Sequence, residues 1–152
     1  MILSAVGGAT PLQTYSEALE KTDTQVLLRD AGLRPTRQRI GLAHLLFAGD
    51  CRHVTAEDLF AEANAAALSV SLATVYNTLR QFVDAGLLRE VLAERGRAYF
   101  DTNISDHHHF FHVAEGRLED VPADAVIIAK LPEAPAGASI ERVDVIIRLN
   151  KA

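Results

Sequence analysis

Cysteine is almost missing from this chain. Cys51 stands alone, so no internal disulfide can close and no cysteine pair is present for a structural zinc site. A lone thiol is expected to serve as a small buried apolar side chain. Long hydrophobic runs are missing as well. The opening MILSAVGGATPLQ has no basic start, and Gly and Pro break its short apolar stretch, which excludes a signal peptide or a membrane span there. The expectation is a soluble, cytoplasmic protein with a flexible N-terminus over residues 1–15 and no membrane partner.

Excess positive charge is also lacking. The net charge of −5 argues against broad, non-specific affinity for nucleic acid. Nor is there a convincing acid/base pair, a nucleophile beside a base, or a phosphate-cradling glycine loop, so an enzyme is not expected.

What is present is a globular composition, 49% hydrophobic and 23% charged over 152 residues, enough for one ordinary domain or two small ones. The charge is uneven. Residues 26–100 carry nine basic against eight acidic side chains, whereas residues 101–152 carry five against nine. The middle is the part not dominated by acid, and Arg34, Arg37 and Arg39 crowd at one helix entrance.

Ser69 to Leu88, SVSLATVYNTLRQFVDAGLL, organises the rest. Leu72, Val75, Leu79, Phe82 and Val83 recur at helical spacing and predict a buried stripe. Thr74, Asn77, Thr78, Arg80 and Gln81 are expected on the other face, where short hydrogen-bonding groups and one arginine suit base edges and phosphates. Ser71 can cap the start and Gly86 can end the helix.

Before it, Ser16–Ala31 has a helical pattern with Leu19, Val26 and Leu27 as candidate core residues and Gly32 as a stop. Thr36 opens a second helix with Ile40, Ala43, Leu46 and Phe47 inward and Pro35 fixing its entry. Thr55 and Asp58 form a weaker version of a capping box for a third helix, with Leu59, Phe60 and Ala63 inward. The order is that of a helix-turn-helix unit. Leu87–Ala93 and Arg97–Asp101 then read as a hairpin turning at Glu94, Arg95 and Gly96, a wing whose tip offers Arg95 and Arg97 to a phosphate backbone.

Past Asp101 the character changes. TNISD reads as a linker, HHHFFHVA and RLEDV as strands around Glu115–Gly116, Val126–Leu131 as an apolar stretch, and Ile140–Leu149 as a long β-branched strand. Some fifty residues of short strands can hardly bury themselves, so pairing with a second copy is expected.

Four of the six histidines lie within His107–His112. On a strand, His107, His109 and Phe111 share one face and His108, Phe110 and His112 the other. Neighbours on a face are roughly 6.6 Å apart, close enough for two imidazoles to meet one ion, whereas His108 and His112 are about 13 Å apart. Help for such a site could come from His53 or Asp101. Imidazole with carboxylate suits zinc, iron or manganese, and Phe110 and Phe111 also offer an apolar setting for haem on a histidine ligand.

AGLRPTRQR, HVTAEDLF, SLATVYNTLRQFVDAGLL and the HHH run, over about residues 26–121, resemble the ferric uptake regulator (Fur) family of metal-responsive repressors. The combination HHHFFHVAEGRLEDVP with a tail ending IIRLNKA is similar to that family's iron response regulator (Irr) branch. The resemblance implies an α+β protein with an N-terminal winged helix-turn-helix domain (residues 16–101), a linker (102–106) and a small α/β dimerisation and ligand-sensing domain (107–152). It implies a homodimer on two-fold symmetric operator DNA, with Tyr76 touching a thymine and Arg34 entering the minor groove. Together with the residue patterns, the DNA-contact candidates are Arg34, Thr36, Arg37, Ser71, Thr74, Tyr76, Asn77, Arg80 and Arg95.

The Irr resemblance further implies haem as the effector at His107, His108 and His109, releasing the operator. The alternative is a divalent metal (Fe, Mn or Zn) as corepressor at His53, Asp101 and His109, with His112 a further candidate. The chain departs from the general family pattern at Phe110 and Phe111, where an aspartate and a histidine are usual. It also departs at Val126 and Ile127, near the usual glutamate, and in lacking both CxxC pairs. The Cys-Pro haem motif of some Irr members is missing, since Cys51 precedes Arg52.

Overall fold

The computed structural model describes residues 21–152. The N-terminal segment, Leu19 and the expected start of the first helix at Ser16 lie outside the described residues. The chain divides into two compact units, one ending at Ile104 and one beginning at Ser105.

Among the described residues of the first unit, four helices precede a hairpin. Helix α1 is Lys21–Asp30, α2 Arg37–Phe47, α3 Ala56–Ala65 and α4 Leu72–Asp84. Strands β1 (His53–Val54), β2 (Arg89–Glu94) and β3 (Arg97–Asp101) form an antiparallel sheet in the order β1, β3, β2. The starts of α2, α3 and α4 each have a chemical cause. Thr36 Oγ1 accepts the Arg39 N–H at 3.2 Å, and Ser71 Oγ accepts the Thr74 N–H at 3.1 Å. Thr55 and Asp58 complete a full capping box: each side chain accepts the other's backbone N–H, at 3.1 and 3.0 Å.

The core is built from the helical stripes: Leu28, Leu42, Leu46, Leu59, Val75, Leu79 and Phe82 are all fully buried, and Phe100 closes the sheet side. Two expectations about faces need correction. Val26 is exposed, because Leu28 lies about 200° further round a helix and both cannot point inward. Thr78 is buried rather than outward, since it is three residues after Val75 and four before Phe82, on the same stripe. Cys51 is half-buried, less enclosed than a core thiol.

The wing differs in detail from the sequence pattern. Leu87 and Leu88 are buried core residues and not strand; the Leu87 N–H bonds the Phe82 carbonyl and closes α4, with Gly86 at φ +78°. The turn itself is Arg95–Gly96, and Gly96 takes φ +76°, a left-handed conformation that glycine adopts without strain. Strand β1 was not legible in the sequence. At two residues it carries no periodicity, and only pairing with β3 makes it a strand.

The second unit contains β4 (His107–His112), β5 (Arg117–Pro122), a 3₁₀ turn at Ala123–Ala125 and β6 (Ile146–Leu149), in the sheet order β5, β4, β6. Strands β4 and β5 are antiparallel, while β6 runs parallel to β4. The expected strand from Ile140 is confined to Ile146–Leu149, because β4 offers it partners only from His109 to His112. The apolar stretch Val126–Leu131 forms neither helix nor strand, and Ile127, Ile128 and Leu131 are exposed.

Candidate nucleic-acid interface and metal centre

On the first unit, the exposed side of α4 presents Tyr76, Asn77 and Arg80, with Thr74 half-buried at its start. Ser71 is exposed, and its hydroxyl is spent on capping α4 and on a 2.9 Å contact with Thr74 Oγ1. Arg34, Thr36 and Arg37 are exposed in and just after the loop from α1 to α2, and Arg95 is exposed at the wing tip. Beside it Arg97 lies 3.9 Å from Glu94.

Two side chains that sequence reasoning did not assign a role hold this face in place. Arg39 donates from Nε and Nη2 to Gln81 Oε1, at 3.1 and 2.9 Å, and from Nη1 to the Arg34 carbonyl at 2.9 Å. One guanidinium thereby ties the loop carrying Arg34 to α4, a use of its forked donors that lysine could not copy. Glu57 on α3 accepts a 2.9 Å hydrogen bond from Tyr76 Oη. That bond, aided by desolvation and the carboxylate's charge, raises the phenol's pKa, so Tyr76 stays a neutral donor.

The first unit also holds an acid–imidazole pair. Strand pairing sets His53 opposite Asp101, with Nε2 and Oδ2 3.1 Å apart and the carboxylate fully buried. Asp101 Oδ1 accepts the Asn103 N–H at 2.9 Å.

In the second unit the alternation of β4 separates the histidines. His107 and His109 point to one face, their Nε2 atoms 3.0 Å apart. Asp120 joins them from β5, its Oδ1 3.1 Å from His107 Nε2 and 3.5 Å from His109 Nε2. The three ligand atoms lie within 4.8 Å of one another. His107 Nδ1 lies 2.6 Å from the Ser105 carbonyl. A carbonyl can only accept, so that nitrogen bears the hydrogen and Nε2 keeps its lone pair for the cluster. His109 Nε2 can donate to this cluster in one tautomer, and in the other its lone pair can join His107 and Asp120 around a cation.

His108 turns the other way, where its Nδ1 accepts the Val145 N–H at 3.1 Å. His112 contacts Glu119 at 2.8 Å, and this hydrogen bond holds the Glu119 carboxyl below its ordinary range. Neither side chain joins the trio. Asp120 is the residue that sequence reasoning missed. Counting back through the hairpin from the turn at Gly116 would have placed it opposite His109, on the same face.

Two imidazoles and a carboxylate fit a divalent ion such as Mn(II), Fe(II) or Zn(II). The same geometry gives no support to haem at the three-histidine run, whose members are only 5%, 8% and 1% exposed and do not act together.

A family model, "Ferric uptake regulator family", matches residues 30–147. The chain belongs to that family. Among its relatives, the ferric uptake regulation protein of Vibrio parahaemolyticus is 37% identical over 87 residues, covering 57% of this chain and 58% of that protein. The chain therefore spans less than two thirds of that Fur protein's length. The structure of the Vibrio cholerae ferric uptake regulator is similar at 25% identity and a TM-score of 0.68, covering 85% of this chain and all of that one. The Pseudomonas aeruginosa ferric uptake regulator with manganese is similar at 27% identity and a TM-score of 0.66, covering 84% and 97%. These matches support the Fur family and not the narrower Irr branch. Among the described residues no helix is long and apolar enough to cross a membrane.

Proposed function

We propose that this chain is a metal-responsive, sequence-specific DNA-binding regulator, mainly a repressor, that acts as a homodimer on genes of iron homeostasis with a divalent metal as corepressor. The observation that carries this reading is the convergence of His107, His109 and Asp120, a donor set for Mn(II), Fe(II) or Zn(II). The Pseudomonas relative with manganese supports that choice of effector over haem. When bound, the ion would supply positive charge among two imidazoles and a carboxylate. His53 and Asp101 form a separate imidazole–carboxylate pair within the first unit.

The helix-turn-helix order, the polar face of α4 and the wing support duplex DNA as the partner. Exposed Ile127, Ile128, Leu131 and Ile140 in the second unit support a second copy as the cover for apolar surface. A metal can act as corepressor only if it favours the DNA-binding arrangement, and a coupling of about 1–3 kcal/mol, roughly 5- to 150-fold in affinity, is typical.

The test is fluorescence anisotropy of the full chain on a duplex selected from a random pool, with Mn(II) and with chelator. Mn(II) is expected to tighten binding by about tenfold or more, and His109→Ala to abolish the difference. Equal affinity in both conditions contradicts the metal-responsive reading.

A further inference from the structure

Tyr76 has one hydroxyl hydrogen, and that hydrogen is committed. It goes to Glu57 Oε1 at 2.9 Å, from α4 to α3. The phenol's pKa lies above its ordinary value of 10.0 chiefly because of this bond, with Arg97 acting in the other direction. Glu57 is itself well placed to hold it, since it sits in the first turn of α3, which the Thr55–Asp58 capping box fixes. Tyr76 is partly open, at 37% exposure, so it can meet a ligand while still tethered.

A tyrosine whose hydrogen is spent has only a lone pair and an apolar ring left for a base edge. In the major groove guanine shows two acceptors, adenine and cytosine show an amino donor, and thymine shows a methyl group. We infer that Glu57 is a specificity-determining residue: by taking the Tyr76 hydroxyl hydrogen, it prevents Tyr76 from bonding guanine and leaves it to meet an amino group or a methyl. This inference rests on the DNA-binding reading above. Glu57 acts through Tyr76 and is a positioning residue, so its signature is a change in base preference rather than in affinity alone.

The experiment selects duplexes from a random pool with the full chain, in Mn(II) and in chelator, for wild type and variants. Tyr76→Ala identifies the base position that Tyr76 reads, as the one where preference relaxes. At that position wild type is expected to deplete guanine. Glu57→Ala frees the hydroxyl and is expected to raise the relative affinity for guanine there by about fivefold or more. The double variant with Tyr76→Phe has no hydroxyl and loses this gain, while Glu57→Gln, whose amide oxygen still accepts, keeps guanine out. Thermal melting checks each fold. Glu57→Leu, which keeps the bulk and removes the acceptor, replaces Glu57→Ala if that variant is unstable.

A wild type that favours guanine at this position overturns the inference, as does a folded Glu57→Ala or Glu57→Leu variant with an unchanged base profile. A wild type that enriches no sequence in either condition overturns the DNA-binding reading itself, and the inference with it.

Discussion

The two units of this chain are held together by different means. Among the described residues, the first unit gathers sixteen buried apolar side chains from four helices and its sheet into one cluster. The second unit buries Phe111, Leu118 and Val121 and, beside them, three histidines, while Ile127, Ile128, Leu131 and Ile140 stay exposed. Hydrophobic burial dominates the first unit, since each fully buried Leu, Val or Phe contributes about 1.5–3 kcal/mol, although Asp101 and Arg89 are buried there as well. The second places titratable groups where burial without partners is costly, so its stability is linked to whatever those groups bind. The contrast matches the proposed roles, a rigid reader beside a responsive sensor.

The largest effect that would sharpen the contrast is Phe82→Ala. Phe82 is fully buried and packs 6.4 Å from Phe47, centroid to centroid, so truncation is expected to cost the first unit about 3–5 kcal/mol in chemical denaturation followed by circular dichroism. A cost under about 1 kcal/mol would mean that this core is not what stabilises the unit.

Metal should move the second unit instead. Zn(II) or Mn(II) at a hundredfold excess over its dissociation constant is expected to add about 2.7 kcal/mol to wild type, read as a raised melting temperature, and His109→Ala should remove the gain. A gain undiminished in His109→Ala would break the distinction between the units.

Smaller again is the cap of α3. Thr55→Ala removes the hydroxyl that accepts the Asp58 N–H and is expected to cost about 1 kcal/mol by denaturation. Thr55→Ser, which keeps the acceptor, should recover most of it.

The smallest effect is a titration. The Tyr76 pKa is raised in the folded protein, so the contribution of its bond to Glu57 is complete below pH 10 and is lost as pH rises through the folded value. Ultraviolet absorbance of tyrosinate should show Tyr76 titrating late, and Glu57→Leu should bring it down towards the ordinary range, because the hydrogen bond that holds its proton is gone.

The same contrast explains what could be read from the sequence. Helix starts at Thr36, Thr55 and Ser71, the stop at Gly86 and the turn at Gly96 are local events, set by residues within four positions of one another, and the sequence shows them directly. The alternation that puts His107 and His109 on one face is equally local. Asp120, by contrast, reaches the histidines only through hairpin register, Arg39 reaches Gln81 across 42 positions, and β1 exists only because β3 lies beside it. Thr78 misled because a polar side chain on a helix is read as outward, whereas position on the stripe decides its burial. Haem was suggested by Phe110 and Phe111 beside the histidines and by the Irr resemblance; the matches reach the Fur family only, and His108 is turned to the Val145 N–H, away from His107 and His109.

The most direct measurement is calorimetric titration of Zn(II) into the full chain and into three single variants, His107→Ala, His108→Ala and His109→Ala. The account predicts at least tenfold weaker binding when His107 or His109 is lost, a typical cost of removing one ligand from a divalent site, and much the smaller loss for His108. Equal losses for all three, or a loss confined to His108, would contradict it.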